Sequence, residues 1–521
     1  MKKRILIYFV SLIVLYSNIT AYAEDDGLYQ EMMFFSNVLN HIKANYVEEV
    51  PPSTLIYYAI YGVLKSLDPH TYYLGPQEFE RKLQIYEGKL YGVGIEFTVI
   101  DGLPTIISVI RGSPADNNAI QTGDVLIKVG DKYVTDKTEA EIVLLVAGEK
   151  GSKVDLTFKK PSMSGEFTVE ITRGEIPINS VDYYFIGEYQ TGYVKIDQFL
   201  SETKNEFSKA LKELKKKDMK NLVLDLRDNP GGLVDAAVDV VDLFIPKNEK
   251  IIEIKGRKEI SNEIISATGC RKEPLYPIII LINNGSASAS ELVSGALQDY
   301  DRALIVGENS FGKGLVQRSF RLSNGGVIMM TFAKYYTPSG RIIQRDYEGK
   351  SSREYRAEIK APDTTDLDSS LIFATKGGRR VFGKGGITPD IFIHVDTTSI
   401  LESWKLEDLI FKYAIDFVKN NKSQLMSYKN FDDYAKNFSL DEKSWKEFLS
   451  KAEEKRLDTE EIKKEEKTIH NLIKTEIAGM YWGEKEEMIS SLDSDSQLQN
   501  ALGHLGEAEK ILDLYRKNFG R

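Results

Sequence analysis

Residues 277–300 read PIIILINNGSASASELVSGALQDY, and the change of texture half-way along this stretch decides the fold. Ile278, Ile279, Ile280, Leu281 and Ile282 form an unbroken apolar run. It is too short for a membrane span and too β-branched for a helix, so it predicts a strand buried on both faces. Asn283, Asn284 and Gly285 break the run. From Ser290 a helical period sets in, with Leu292, Val293, Ala296 and Leu297 on one side. Glu291 puts an acid in the first turn, where the helix dipole favours it. Strand, tight small-residue turn and helix together hold a serine at the C-terminal edge of a sheet. Backbone N–H groups at a helix start lie beside it, ready to stabilise a developing oxyanion. Three serines compete for that place. Ser290 is expected to cap the helix, and Ser286 to stand farther from its start.

The same layout occurs upstream. Residues 221–226 (NLVLDL) predict a strand, Arg227-Asp-Asn-Pro-Gly-Gly232 a turn, and Val234, Ala237, Val238 and Val241 a helix. Downstream, Arg302 to Val306 predicts another strand, followed by GENSFGKGLVQ at 307–317. Repetition of this unit implies an α/β core with active loops at the strand ends. A serine nucleophile needs a base. No histidine lies between Ile178 and Pro389, His394 comes after the last glycine motif, and neither G-x-S-x-G nor HExxH is present. That argues against the common esterase and zinc-protease classes. A lysine can serve if burial lowers its pKa toward neutrality. Lys313, between Gly312 and Gly314 in a nearly uncharged stretch, is the candidate. Gln317 shares a face with it if the segment is extended and lies one turn away if it is helical; its amide oxygen could orient the amine.

Between about Leu90 and Arg173 the sequence turns to short strands and glycine turns. Ser113, Pro114, Ala115, Ile120, Gly123 and Asp124 resemble the pattern of a bacterial PDZ domain, from which Asn118 and Ala119 depart. Gly92, Val93, Gly94 and Ile95 fit that resemblance. Glycines there let successive N–H groups form a nest for a peptide C-terminal carboxylate, and the following strand can pair with an added peptide strand.

Residues 24–84 and 398–521 read as helical, with packing or self-association as their expected role; His41 and His70 read as ordinary surface or boundary histidines. Residues 385–391 and 335–341 read as turn-rich structural elements. The chain has 521 residues and a formal net charge of −10, which predicts several domains and no affinity for nucleic acid. Lys2, Lys3 and Arg4, an apolar run from Ile5 to Tyr16 and Ala21-Tyr22-Ala23 form the pattern of a secretory leader. Export to the periplasm or cell envelope is expected, with membrane association if the leader is retained. Cys270 is the only cysteine, which excludes an intrachain disulfide and a thiolate metal cluster.

Five ordered motifs then converge: Gly285-Ser-Ala-Ser-Ala-Ser-Glu291, Gly312-Lys-Gly314 with Gln317, Asn229-Pro-Gly-Gly232, Tyr335-Tyr-Thr-Pro-Ser-Gly340 and Gly385-Gly-Ile-Thr-Pro-Asp-Ile391. Together, over about Leu67 to Val395, they resemble the carboxy-terminal processing peptidases, or tail-specific proteases. The resemblance implies a multidomain α/β protein, with a catalytic core like that of crotonases and the Clp protease subunit and a mostly β PDZ domain inserted before it. It implies Ser288 as nucleophile, Lys313 as general base and Gln317 positioning it. The oxyanion hole would use the N–H groups of Ala289 and of Gly232 in preference to Gly231. No metal or organic cofactor is implied. Partners would be proteins or peptides with free C-termini, held through Gly92 to Ile95, with a homo-oligomer or adaptor contact through the helical terminal regions. The expected division is a leader at 1–23, a helical region at 24–84, a PDZ domain at 85–173, a peptidase core at 174–397 and a helical extension at 398–521. The competing readings are a non-catalytic PDZ scaffold or ligand-binding protein on the same fold and, disfavoured by export and the PDZ domain, an acyl-CoA enzyme.

Overall fold

The computed structural model describes residues 26–100, 102–160, 165–269, 273–350, 354–355, 369–394, 400–401 and 403–520; the leader at 1–23 and Cys270 lie outside the described residues. At the centre is a six-stranded sheet in the order Tyr184–Ile186, Thr191–Lys195, Asn221–Asp225, Ile278–Ile282, Leu304–Gly307, Ile391–Phe392. All neighbours are parallel except the first pair. The Ile278–Ile282 strand is central, flanked by Asn221–Asp225 and Leu304–Gly307.

Side chains along a strand alternate between faces. Ile278, Ile280 and Ile282 accordingly join one core, under helices Thr203–Lys216, Val234–Asp242 and Ala289–Asp299. Ile279 and Leu281 join a second core on the opposite face, where Leu498, Ala501, Ala508 and Ile511 meet them. An apolar residue at every position is therefore required. The layer on that opposite face comes from the far end of the chain, the helices Ser496–Leu502 and Leu505–Phe519. Arg227 pins it there by donating to Asp225 of the sheet and, at 3.0 and 3.1 Å, to Asp495 and Gln497.

A second sheet carries Tyr72–Leu74, Val327–Tyr336, Lys250–Gly256 and Glu263–Ser266, with Leu315–Arg321 also paired to the long Val327–Tyr336 strand. The N-terminal helical region thus gives one strand to the body of the molecule. Residues 95–172 form a separate six-stranded sheet with the helix Glu139–Val146 and a core of their own. Their two ends run side by side in a neck, Lys89–Gly92 against Gly174–Pro177. Residues 400–489 build a further helical core around Tyr413, Phe417, Tyr434 and Phe448. Ile415 from that unit lies 3.7 Å from where a Cβ on Gly123 would stand. The helices Asp26–Asn45 and Pro52–Lys65 leave Leu28, Tyr29, Phe34, Tyr57 and Tyr61 exposed.

Ile280 is wholly buried in the central strand, beneath the helices. Ile280→Ala should cost about 2–5 kcal/mol, read from urea unfolding of the core. A loss below about 1 kcal/mol would show that the strand is not clamped between two layers.

Candidate active site

The turn after Ile282 places its three serines in three environments. Ser286 Oγ donates to Leu226 O at 2.7 Å and accepts from Asn283 N at 3.0 Å. Ser290 Oγ donates to Asn229 O at 2.9 Å. Both are fully buried, while Ser288 is partly exposed. Ser290 does not cap the helix, contrary to the sequence expectation: the helix begins at Ala289, and Ser288 is its N-cap residue. The start lies earlier because Glu291, at the third helical position, reaches back to accept Ser288 N at 2.8 Å. Ser288 takes φ 55° and ψ −107°, a conformation that costs a non-glycine residue about 1–3 kcal/mol and clusters at functional sites.

Glu291 holds that conformation in place. Its side chain is fully buried, and burial pushes its carboxyl up. Four donors oppose that effect. Oε1 accepts Ser310 Oγ at 2.6 Å and Gly312 N at 2.7 Å, while Oε2 accepts Ser288 N and Lys313 N, both at 2.8 Å. A single oxygen therefore ties the backbones of Ser288 and Lys313 together. The Tyr335 hydroxyl does the same from the other side, 2.9 Å from Ser288 O and 3.2 Å from Lys313 O. Burial pushes that hydroxyl's pKa well up, so it stays a donor.

Lys313 Nζ donates to Gln317 Oε1 at 2.8 Å. The segment is extended, leading into the Leu315–Arg321 strand, so of the two arrangements left open by the sequence the shared face is the one found. Burial, with a smaller contribution from the charge of Lys82, pushes the Lys313 amine down to about 8; Glu291 and Asp68 act in the opposite sense. Gln317 Nε2 donates to the His70 carbonyl at 2.6 Å. His70, read from the sequence as an ordinary surface or boundary histidine, contributes its backbone to this site. Its imidazole lies 3.3 Å from the Tyr355 hydroxyl.

The Asn229-Pro-Gly-Gly232 turn meets the serine turn directly. Asn229 O accepts Ala287 N at 3.0 Å as well as Ser290 Oγ. Gly231, at φ +99°, is the glycine pressed against the serine: a Cβ there would stand 2.9 Å from Ser288 Cβ and 3.0 Å from Ala289 N. Its N–H, however, donates to Asn229 Oδ1 at 2.8 Å. Gly232 forms a parallel bridge with Phe199 through the Gly231 carbonyl and the Leu233 N–H, an arrangement that leaves the Gly232 N–H aside. Across the neck, Gly94 takes φ +83° and its carbonyl accepts Ile110 N. Gly92 has no positive φ and pairs with Gly174, Val93 is buried, and Ile95 opens the Ile95–Ile100 strand at the edge of its sheet. The nest expected of two glycines thus rests on one. Among the described residues no cluster of three or more His, Cys, Asp or Glu side chains could hold a metal ion.

Two contributions were not legible in the motifs. Tyr335 sits in a segment that read as structural, and His70 acts through a carbonyl, which no residue type announces.

Comparison with known proteins agrees with this architecture. The model of peptidase family S41 matches residues 190–349, that of the PDZ domain residues 92–171, and that of a family of unknown function residues 406–483. A carboxy-terminal-processing protease of Bartonella bacilliformis is 37% identical over 338 residues, 64% of this chain and 77% of the relative. The carboxy-terminal processing protease CtpB of Bacillus subtilis is 33% identical over 328 residues, 62% of this chain and 66% of the relative. Among solved structures, a photosystem II D1 C-terminal processing protease aligns over 68% of this chain and 86% of its own, at 27% identity and a TM-score of 0.37. The chain is a serine-type protease with a PDZ domain. It belongs to the carboxy-terminal processing protease family, within peptidase family S41.

Glu291→Gln removes one acceptor oxygen and turns an NH2 toward the clamped N–H groups. Peptidase activity should fall at least about 10²-fold, as for a displaced reacting group. Gly231→Ala should fall as far, from the clash with Ser288. Near-normal turnover in a peptide-cleavage assay would show, for Glu291→Gln, that the clamp is not needed and, for Gly231→Ala, that the close approach of the two turns is not.

Proposed function

We propose that Ser288 is the nucleophile, Lys313 the general base and Gln317 the group that orients the base. The observation that carries this reading is the pairing of a partly exposed serine at a strained helix start with a desolvated lysine, their backbones joined through Glu291 Oε2. Ser288 Oγ attacks the peptide carbonyl while the neutral Lys313 amine takes its proton. The developing oxyanion is met by the N–H groups of Ala289 and Gly232; Gly232 is preferred because the Gly231 N–H is already donated to Asn229. Lys313 returns the proton to the leaving amine, and water, activated by the same amine, hydrolyses the acyl-enzyme. A scaffold that only held peptides would have no use for a lysine drawn out of water beside a serine.

The substrates would be polypeptides cut near their C-terminus, with the terminus held at Gly92 to Ile95. The open edge of the Ile95–Ile100 strand supports this, because an added peptide strand can pair there. Export is supported by the leader pattern at 1–23. The exposed apolar faces of Asp26–Asn45 and Pro52–Lys65 suit self-association or an adaptor.

Ser288→Ala and Lys313→Ala should each abolish cleavage of an unfolded polypeptide while keeping the wild-type circular dichroism spectrum; turnover equal to wild type sinks the assignment. Neutral lysine is the active form, so kcat/KM should climb with pH and level off above about 8. A flat profile between roughly pH 6 and 9 contradicts a lysine base. Amidating the substrate's C-terminal carboxylate should raise KM; cleavage indifferent to amidation counts against capture by Gly92 to Ile95.

A further inference from the structure

The segment that leads into the PDZ domain reaches into this site. Asp68 is buried and folds the chain into a tight turn: Oδ1 accepts His70 N and Thr71 N, each at 2.8 Å, and Oδ2 accepts Thr71 Oγ1 at 2.6 Å. Thr71 Oγ1 also accepts Thr331 N at 3.1 Å, which pins the turn to the Val327–Tyr336 strand. The turn presents the His70 carbonyl to Gln317 Nε2 at 2.6 Å. That bond decides which end of the amide faces the lysine. With its nitrogen held by a carbonyl, Gln317 turns its oxygen to Lys313; flipped, it would offer an NH2 to an amine that needs an acceptor.

The chain then runs through Tyr72–Leu74 into the helix Pro76–Tyr86, which carries Lys82. The Lys82 amine donates to the Tyr72 hydroxyl and lies 5.0 Å and 5.6 Å from the centroids of the Tyr72 and Tyr86 rings. Ser201 N donates to Tyr86 O at 2.9 Å, seating the end of that helix on the core.

We propose that the turn at residues 68–71 is a working part of the base: Asp68 orients Gln317 through the His70 carbonyl. Asp68 is a positioning residue, and the inference rests on the reading of Lys313 as base. The charged groups acting on Lys313 are Glu291 from the Ala289–Asp299 helix, Asp68 from the turn and Lys82 from the Pro76–Tyr86 helix; Tyr335 and Gln317 face it uncharged. Tyr72 and Tyr86 face Lys82, and Tyr347 faces Asp68. Lys82 repels the proton on Lys313 and Asp68 attracts it, so removing the Asp68 charge lowers the amine's pKa further.

The test is kcat/KM for an unfolded polypeptide from pH 6 to 10, with thermal melting as the folding control. Asp68→Asn should move the acid limb to lower pH. Asp68→Ala, which also loses the turn, should lower the plateau about tenfold as well. A folded Asp68→Ala variant with the wild-type limb and plateau would overturn the inference. If Asp68 variants do not fold, Thr71→Val, which removes one donor to Asp68 and the anchor to Thr331 N, decides it: the plateau should fall, and a wild-type plateau would overturn the inference. Activity in Ser288→Ala or Lys313→Ala would instead overturn the reading of the site itself, so the two failures are told apart.

Discussion

The geometry of the candidate site depends on one carboxylate that has been taken out of water. An ionised carboxyl in a protein interior is costly unless hydrogen-bond donors surround it. Glu291 meets that condition with four, drawn from three separate points of the chain at Ser288, Ser310 and Gly312-Lys313. Because its donors come from both loops, the carboxylate can be satisfied only when the serine turn and the lysine loop are side by side. The strained backbone of Ser288 persists for the same reason: relaxing it would strip a donor from a buried charge.

The helix that carries Glu291 is fixed at its other end too. Asp299 and Arg341, both essentially buried, pair at 2.8 Å, and Gln298 donates to Asp390 at 3.1 Å. The TPSGR and GITPDI motifs, which offered no chemistry of their own, are thus anchors for the helix on whose first turn the site is built. The sheet beneath is equally constrained, since its second face is closed by helices from the end of the chain. A single central strand transmits both constraints, with alternate residues committed to opposite layers.

Much of this was legible from residue type and spacing. A short run of five β-branched or leucine residues fits only a strand covered on both sides, and the helical period that follows gives the strand–turn–helix unit. The absence of histidine from 178 to 389 directed attention to Lys313 by elimination. The helix start was misplaced by two residues because a serine at 290 and one at 288 look alike as caps. What distinguishes them is where Glu291 folds back, and that depends on the loop it meets.

The sequence by itself determined the α/β units, the PDZ pattern and the short roster of serines and lysine, because periodicity, glycine placement and missing residue types are local properties. Only the tertiary structure decided that Ser286 and Ser290 are locked into backbone bonds, that Tyr335 and the His70 carbonyl join the site, and that Gly231 rather than Gly232 presses on Ser288. Each of these is a contact between segments far apart in the chain, made through backbone atoms or a generic hydroxyl. Such partners are chosen by packing of the sheet and its two layers, and residue identity alone does not encode them.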